Sequence, residues 1–453
     1  MSKMSRWVRS ASALLVVIAA FALGVGAIER SDALGQYDYG MEMIPLPDAA
    51  YEEMPPQVDV TGDFLAPDMA QAIQEHAGVS LDGTTYSEEP LGPCDFLGKG
   101  INCPPTWYFE QQVRILTRSR ARDMRFTSEY SPSLSSQAGS AVAIPRMGTK
   151  TNTFGAADGW YSTIGRHLAR DSENRDHFGE FTYWGFQSWK EWERVSGDWM
   201  SDSQNRTFGS LFSPFGATAN IYDSYVGGFN RAQTHYFEYY SQIHNWELNC
   251  RIRPRTRKDR LVLQPNGRWR REERPGPYYS FLYGVRVISV NERSAFQSRG
   301  RIYDSEGAST PIYGNYHVRT GNNLVGLQIG GDMIHRYNKA SWGFRGKVGP
   351  MINSAHHVSE ITSGGTDPYA SVFPNDRLAA SNSSIACVIE FGVTGRYMIT
   401  PHFWLNAGYD LMWVTGLALA PEQMKFELDP SPKLNVGGTT FYHGLTAGFE
   451  WTF

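Results

Sequence analysis

Long segments in which every second residue is apolar dominate the second half of this chain, and they constrain its fold more than any other feature. The last of them, FYHGLTAGFEWTF, ends the sequence at Phe453. Its odd positions are mostly aromatic or aliphatic, and its even positions carry mainly Gly, Thr and Glu. A period of two places these two sets on opposite faces of a β-strand. The apolar face must therefore meet either a protein core or lipid.

Segment length separates these two cases. Strand-like patterns, clearest in the second half of the chain, cover residues 107–118, 158–169, 178–192, 234–252, 278–292, 322–336, 340–353, 384–399, 402–416 and 441–453. Strands of soluble sandwiches usually have about 5–6 residues, whereas a tilted strand needs about 9–11 residues to cross a bilayer. We therefore predict a transmembrane barrel of about ten strands, with eight or twelve as alternatives, rather than a soluble sandwich or propeller.

The connections between these segments alternate in length. The gaps 338–339 and 400–401 are short, while 293–320 and 354–383 are long. Outer-membrane barrels show this alternation because their periplasmic turns are short and their extracellular loops are long. One gap, 253–275, is long and strongly basic where a short turn is due, and we interpret it as a hairpin. The fold class predicted is all-β, a closed antiparallel transmembrane β-barrel with long extracellular loops.

The N-terminus predicts export from the cytoplasm. Lys3, Arg6 and Arg9 precede an apolar run that ends in a small-residue site, which is the pattern of a cleaved secretory signal over residues 1–27. A retained membrane anchor is the alternative interpretation. Together with the barrel prediction, the signal indicates an outer-membrane location.

A second region separates the signal from the barrel. Residues 28–106 are acidic, rich in Pro and Gly, and too poor in periodic apolar positions to fold alone. We interpret them as a mostly irregular extension that lies in the periplasm or plugs the lumen, followed by the barrel over residues 107–453. In an oxidising compartment, the short Gly-containing loop between Cys94 and Cys103 is compatible with a disulfide.

Four segments of the second half carry a family resemblance. They are WELNCRIR, YSFLYGVRVISVNERSAFQ, VRTGNNLVGLQIGGDM and HFWLNAGYDLMWVTGLALAPEQ. In this order they resemble motifs of the beta-barrel porin type 7 family, over residues 107–453 and most strongly from Trp246 onward. The resemblance implies a bacterial outer-membrane barrel. It implies no reaction and no particular transported solute.

If the apolar faces meet lipid, the opposite faces line the lumen. Charges in a barrel of about ten strands must pair, because an unpaired buried charge is costly. Two interpretations stay open: an ionic network that fills the barrel, or a narrow polar channel whose selectivity these residues set. The residues predicted to face the lumen are Glu247, Arg251, Arg286, Glu292, Asp332, Arg336, Arg345, Lys347, Glu390, Arg396, Asp410 and Glu450.

The predicted function is porin-like passive passage of small hydrophilic solutes. A plugged structural or surface-interaction barrel without an open pore is the alternative. The expected partners are outer-membrane lipid, small solutes and the barrel-assembly machinery, which recognises a terminal aromatic residue such as Phe453. His443 is the exception on the lipid-facing set, and it is tolerable only near the membrane interface.

Other classes of function find little support in the sequence. The net charge of −4 offers no electrostatic basis for nucleic-acid binding. No motif for a cofactor or a metal is present, and we expect neither. His356 and His357, with Glu360 nearby, are the one candidate for catalysis at the extracellular rim, and a His pair in a loop is more often polar surface. We therefore predict that the chain is not an enzyme.

Overall fold

The computed structural model describes residues 107–131, 142–149, 154–173, 175–202, 204–215, 226–254, 260–263, 269–272, 276–337, 339–365, 375–400, 402–426 and 433–453. The predicted signal peptide, the extension as far as residue 106, and the pair Cys94 and Cys103 lie outside these ranges. No helix in the described part of the chain is long and apolar enough to cross a membrane.

Ten long strands follow one another along the described chain. They are β1 (Trp107–Arg118), β2 (Ala157–Arg170), β3 (Arg175–Ser196), β4 (Thr234–Pro254), β5 (Gly276–Tyr303), β6 (Ser309–Arg336), β7 (Ala340–Gly365), β8 (Asn375–Thr400), β9 (Phe403–Leu417) and β10 (Gly438–Thr452). Each strand pairs antiparallel with the next, and β10 pairs with β1 from Tyr108↔Thr452 to Arg118↔Tyr442. The ring is therefore closed, and the predicted antiparallel β-barrel of about ten strands is confirmed.

The outer wall of the ring is apolar in the half of the barrel that contains Trp107 and Phe453. Leu327, Ile352 and Leu445 are 68%, 66% and 62% exposed, and similar side chains cover most of the other strands. An exposed apolar band of this kind is stable only when lipid covers it. Trp342 and Trp451 lie at the edge of the band near the terminal residues, where amphipathic rings favour the membrane interface.

Two hairpins are much longer than the sequence predicts. β5 and β6 have 28 residues each, and β7 and β8 have 26 each. The segments 293–320 and 354–383, predicted as long loops, are largely strand, so that prediction is wrong. Their outward faces carry polar residues, among them Arg293 and Glu360, so they lack the apolar alternation by which membrane strands are recognised. We call this part, above the apolar band, the far-end extension.

A bulge explains why both faces of β3 are aromatic. The register of β3 against β4 shifts between Gly185 and Gln187, and Phe186 between them has a φ of 66°. One extra residue reverses the alternation that follows it. Trp184 and Trp189 are therefore both buried although their numbers differ in parity, while Phe186 is 62% exposed. No period of two can be assigned across such a break.

Three hairpin turns share one local motif. Asp171, Asp202 and Asp304 each begin a D-S-[EQ]-[NG] sequence, and each carboxylate accepts backbone N–H bonds from the residues two and four positions later, at 2.8–3.0 Å. These bonds pre-form the turn. The predicted basic hairpin has a two-stranded ladder, Arg260–Leu263 with Trp269–Glu272.

Candidate functional site in the barrel lumen

Contacts between strands that are not neighbours define the lumen. Arg114 of β1 lies 3.0 Å from Asp410 of β9 and 3.6 Å from Glu390 of β8. Lys347 of β7 donates a hydrogen bond of 2.7 Å to Glu247 of β4. In a closed ring, side chains of such strands can meet only through the interior.

These residues belong to a central network that crosses the barrel. Asp410 accepts from Arg345 through both oxygens at 2.7 Å, and Arg286 lies 3.0 Å from Glu390. The side chains are between 0% and 18% exposed. Each charged group lies within 4 Å of a group of opposite sign, as a buried network requires. The central network comprises Arg114, Glu247, Arg286, Arg345, Lys347, Glu390 and Asp410.

A second network lies nearer the ends of the chain, and we call it the mouth network. Arg251 bridges Glu180 of β3 and Asp332 of β6, and Arg396 donates to Glu450 over 2.5 Å. Glu180 is as buried as the central network, whereas the other members are 15–23% exposed. Arg336, which is also predicted to face the lumen, lies with its guanidinium carbon 5.0 Å from the ring centroid of Trp404 and 5.6 Å from that of Tyr278.

An apolar layer follows the central network along the barrel axis. On β1 the inward residues run Arg114, Leu116, Arg118, and on β5 Ile288 lies between Arg286 and Glu292. The layer has fully packed side chains from all ten strands: Leu116, Ala157, Tyr161, Trp184, Trp189, Ile243, Ile288, Val290, Leu324, Met351, Ala386, Val388, Met412, Val414, Leu417 and Tyr442. Between this layer and the central network lies a cavity of about 10 Å³, room for about one water molecule.

The connection after β9 folds inward as a strap above the apolar layer. Ala418 N donates to Asn322 Oδ1 at 2.7 Å, Asn322 Nδ2 donates to the carbonyl of Ala418 at 3.0 Å, and Ala420 N donates to Glu292 Oε2 at 2.8 Å. Leu417, Ala418 and Ala420 are fully buried. Glu292 also pairs with Arg118, so one buried carboxylate holds both the wall and the strap.

Aromatic side chains close the lumen beyond the strap. The strands Arg125–Ser131, Val142–Gly148 and Leu211–Phe212 form a small sheet that caps the far-end extension. Phe126 of this cap stacks on Phe237 of β4 with ring centroids 4.3 Å apart. The lumen is therefore blocked at two levels within the described residues.

His235 connects the cap to the wall. Its Nε2 lies 3.1 Å from the carbonyl of Phe229, which can only accept, and its Nδ1 lies 2.8 Å from Thr127 Oγ1. Nε2 therefore carries a proton and donates it to this carbonyl, and in the neutral ring Nδ1 accepts from the Thr127 hydroxyl. Burial lowers the pKa of His235 from 6.5 to about 3.

Acid is expected to loosen the cap through His235. Because its folded pKa lies below the unfolded value, the stability it contributes is complete above about pH 6.5 and is lost as the pH falls towards 3. Hydrogen-exchange protection of Arg125–Ser131 should fall about tenfold or more between pH 7 and pH 4. His235→Gln should flatten this dependence, whereas the exposed control His356→Gln should retain it. Equal acid sensitivity in both variants would contradict the assignment.

Some residues that face the lumen are not among those predicted from the sequence. Glu110, Arg114 and Arg118 lie on β1, whose alternation is weak, and Glu180 lies on the bulged β3. The even-numbered run from Glu110 to Arg118 is the signal that could have identified the first three.

The histidine pair predicted at the extracellular rim does not come together as a site. His356 and His357 were predicted to lie in an extracellular loop, but they lie within β7 and point to opposite faces, with His357 6% exposed. No group of three or more metal-ligating side chains occurs among the residues described. His443, on the outer wall, contacts Tyr409 OH at 2.6 Å and Thr117 Oγ1 at 3.0 Å, so both ring nitrogens are hydrogen-bonded.

No family model matches the chain, and no curated protein matches it. The solved structures similar to it include the following three. They are the outer membrane protease OmpT from Escherichia coli (13% identity, 77% of this chain and 97% of that chain, TM-score 0.32), the toluene transporter TodX from Pseudomonas putida (6%, 78% and 90%, TM-score 0.21) and an anion-selective porin from Comamonas acidovorans (8%, 77% and 99%, TM-score 0.12). At these values the likenesses assign no activity, substrate or partner.

The class of protein follows from the ring, its apolar exterior and its charged lumen: an outer-membrane β-barrel. The prediction that the chain is not an enzyme needs correction, because a protease is among the structures that it resembles. We withdraw that prediction. The identity of 13% and the TM-score of 0.32 assign no protease activity in its place.

Proposed function

We propose that this chain is a non-conducting outer-membrane barrel that anchors and presents its far-end extension at the cell surface. The observation that carries the proposal is the apolar layer between Arg114 and Arg118, to which every barrel strand contributes a packed side chain. Such a layer excludes hydrated ions, because an ion crossing it would lose its water without gaining a polar partner. The strap and the aromatic cap add a second barrier.

The remaining parts of the chain complete the proposal. Residues 1–27 are a signal peptide that directs export and is removed, and residues 28–106 are a periplasmic or lumen-plugging extension. Residues 107–453 are the barrel, and its terminal Phe453 serves the assembly machinery. The motifs from Trp246 onward support membership of the beta-barrel porin type 7 family.

Passive passage of small hydrophilic solutes is the second candidate function. The mouth and central networks favour it, because charged side chains line a continuous part of the lumen from the terminal end to Arg114. The residues proposed to set its selectivity would be those of the two networks.

Planar-bilayer recording separates the two functions. We expect the wild-type barrel, with insertion verified by heat-modifiable migration on a gel, to give no single-channel events. The control is an open porin inserted by the same procedure, which must give stepwise conductance. Regular channel openings by the wild-type protein would overturn the closed barrel in favour of solute passage.

A further inference from the structure

We propose that Arg293 and Arg319 form a binding site for the phosphate group of a lipid headgroup on the outer wall of the barrel. The two residues lie directly opposite each other in the β5–β6 ladder, and both are exposed on the outward face. Like charges in directly opposed positions of a ladder repel and destabilise it. An anion bound between them would convert this repulsion into attraction.

The neighbouring side chains do not neutralise the pair. Glu238 lies 3.2 Å from Arg293 but also 3.6 Å from Lys190, so one carboxylate serves two cations. No ion pair within 4 Å joins Arg319 to an acid among the described residues. On the neighbouring strand β7, Glu360 lies opposite His317 and not opposite Arg319. Three cations, Arg293, Arg319 and Lys190, therefore face two carboxylates, Glu238 and Glu360, and an excess of positive charge remains.

The height of the pair on the wall fits a headgroup. The outward pair Val287↔Val325 ends the apolar band on these strands, and Arg293↔Arg319 follows after two polar pairs. Six residues at about 3.3 Å, on a strand tilted by about 40°, place the backbone roughly 15 Å above that boundary. Arginine side chains reach roughly 6 Å back towards the membrane, which brings the guanidinium groups close to the layer of lipid headgroups.

The geometry also points to phosphate as the ligand chemistry. Two guanidinium groups present planar forks of N–H donors, which match the oxygens of a phosphate and form charge-assisted hydrogen bonds. Tyr240 supports this arrangement, because the Arg293 guanidinium lies 5.7 Å from its ring centroid and is held against the wall. The inference does not depend on whether the lumen conducts.

Native mass spectrometry of the full barrel in an uncharged detergent tests the site. The probes are diphosphorylated lipid A, its dephosphorylated analogue and inorganic phosphate. We expect the wild type to bind the diphosphorylated lipid at least about tenfold more tightly than the analogue, as two charge-assisted contacts imply. The double variant Arg293→Gln with Arg319→Gln should lose this preference.

Arg299→Gln is the matched control, since Arg299 is exposed on the same face of β5 but lies six residues farther from the apolar band. It should retain the full preference. A double variant that still prefers the diphosphorylated lipid, or a wild type with no preference, would overturn the site. Inorganic phosphate that binds as tightly as the lipid would overturn the lipid assignment and leave a site for free phosphate.

Thermal unfolding without lipid distinguishes loss of the site from misfolding. Because the double variant removes the repulsion, its unfolding temperature should equal or exceed that of the wild type. A lower unfolding temperature would mean that the two arginines stabilise the wall by themselves, and the premise of an uncompensated pair would be wrong.

Discussion

Replacing Glu292 with Gln is expected to lower the free energy of unfolding by about 3–5 kcal/mol, because the change leaves the Arg118 guanidinium buried without a counter-ion. Both side chains are 0% exposed. Glu292 also accepts hydrogen bonds from Tyr239 OH at 2.9 Å and from the strap at Ala420 N. Urea unfolding of the barrel in phospholipid vesicles would measure the loss.

Two variants accompany this measurement. Glu360→Gln removes an exposed carboxylate of the same type and should change the free energy of unfolding by no more than about 0.5 kcal/mol. Adding Arg118→Met to Glu292→Gln removes the stranded charge and should recover most of the loss, as replacement of whole buried pairs by apolar side chains often does. No recovery in the double variant would show that the strap bond, and not the ion pair, dominates.

Replacing Trp184 with Ala should cost a similar amount, about 3–5 kcal/mol, for a different reason. Trp184 is 0% exposed and belongs to the apolar layer. It also lines the cavity of about 10 Å³ beside Arg114 and Glu390, so truncation would create a larger void next to buried charges. Burial of apolar area and close packing are lost together.

Trp192 provides the matched control on the same strand. It is also a tryptophan of β3, but it lies beyond the bulge and is 62% exposed. Trp192→Ala should therefore cost less than about 1 kcal/mol. Equal losses for the two substitutions would mean that the apolar layer is not a packed element of the barrel.

The last strand illustrates how much of the fold could be predicted from sequence. Between Phe441 and Phe453 each second residue is apolar, and the structure pairs this segment with β9 on one side and β1 on the other. The pattern is readable because a membrane strand meets two contrasting environments, lipid outside and polar groups inside. The other strands of the second half are predicted from the sequence for the same reason.

The pattern fails where that contrast is absent or shifted. Above the membrane, β5 to β8 face water on the outside, so their outward residues are polar and their sequence predicts loops. At Phe186 the bulge reverses the alternation within β3. The extended hairpins and the bulge both depend on hydrogen bonds to neighbouring strands. The sequence of a single segment does not show which strands will be its neighbours.

The lumen shows the same division between local and long-range information. Alternation indicates that Asp410 and Glu390 do not share the apolar faces of their strands, but it does not indicate which cations they meet. Arg114, which lies between them, is almost 300 residues away in the chain and comes within reach only because β10 closes the ring onto β1.

The sequence by itself determined the membrane-spanning part of the barrel: where its strands lie, which side of most of them is apolar, and that they suit a barrel in a membrane. This information is local, since a period of two needs only the residues of one segment. Only the tertiary structure decided what fills the barrel. Whether a ring of ten strands holds a channel or a packed interior depends on the volume of side chains brought together from all of them, and here Trp184, Leu116 and their neighbours fill it.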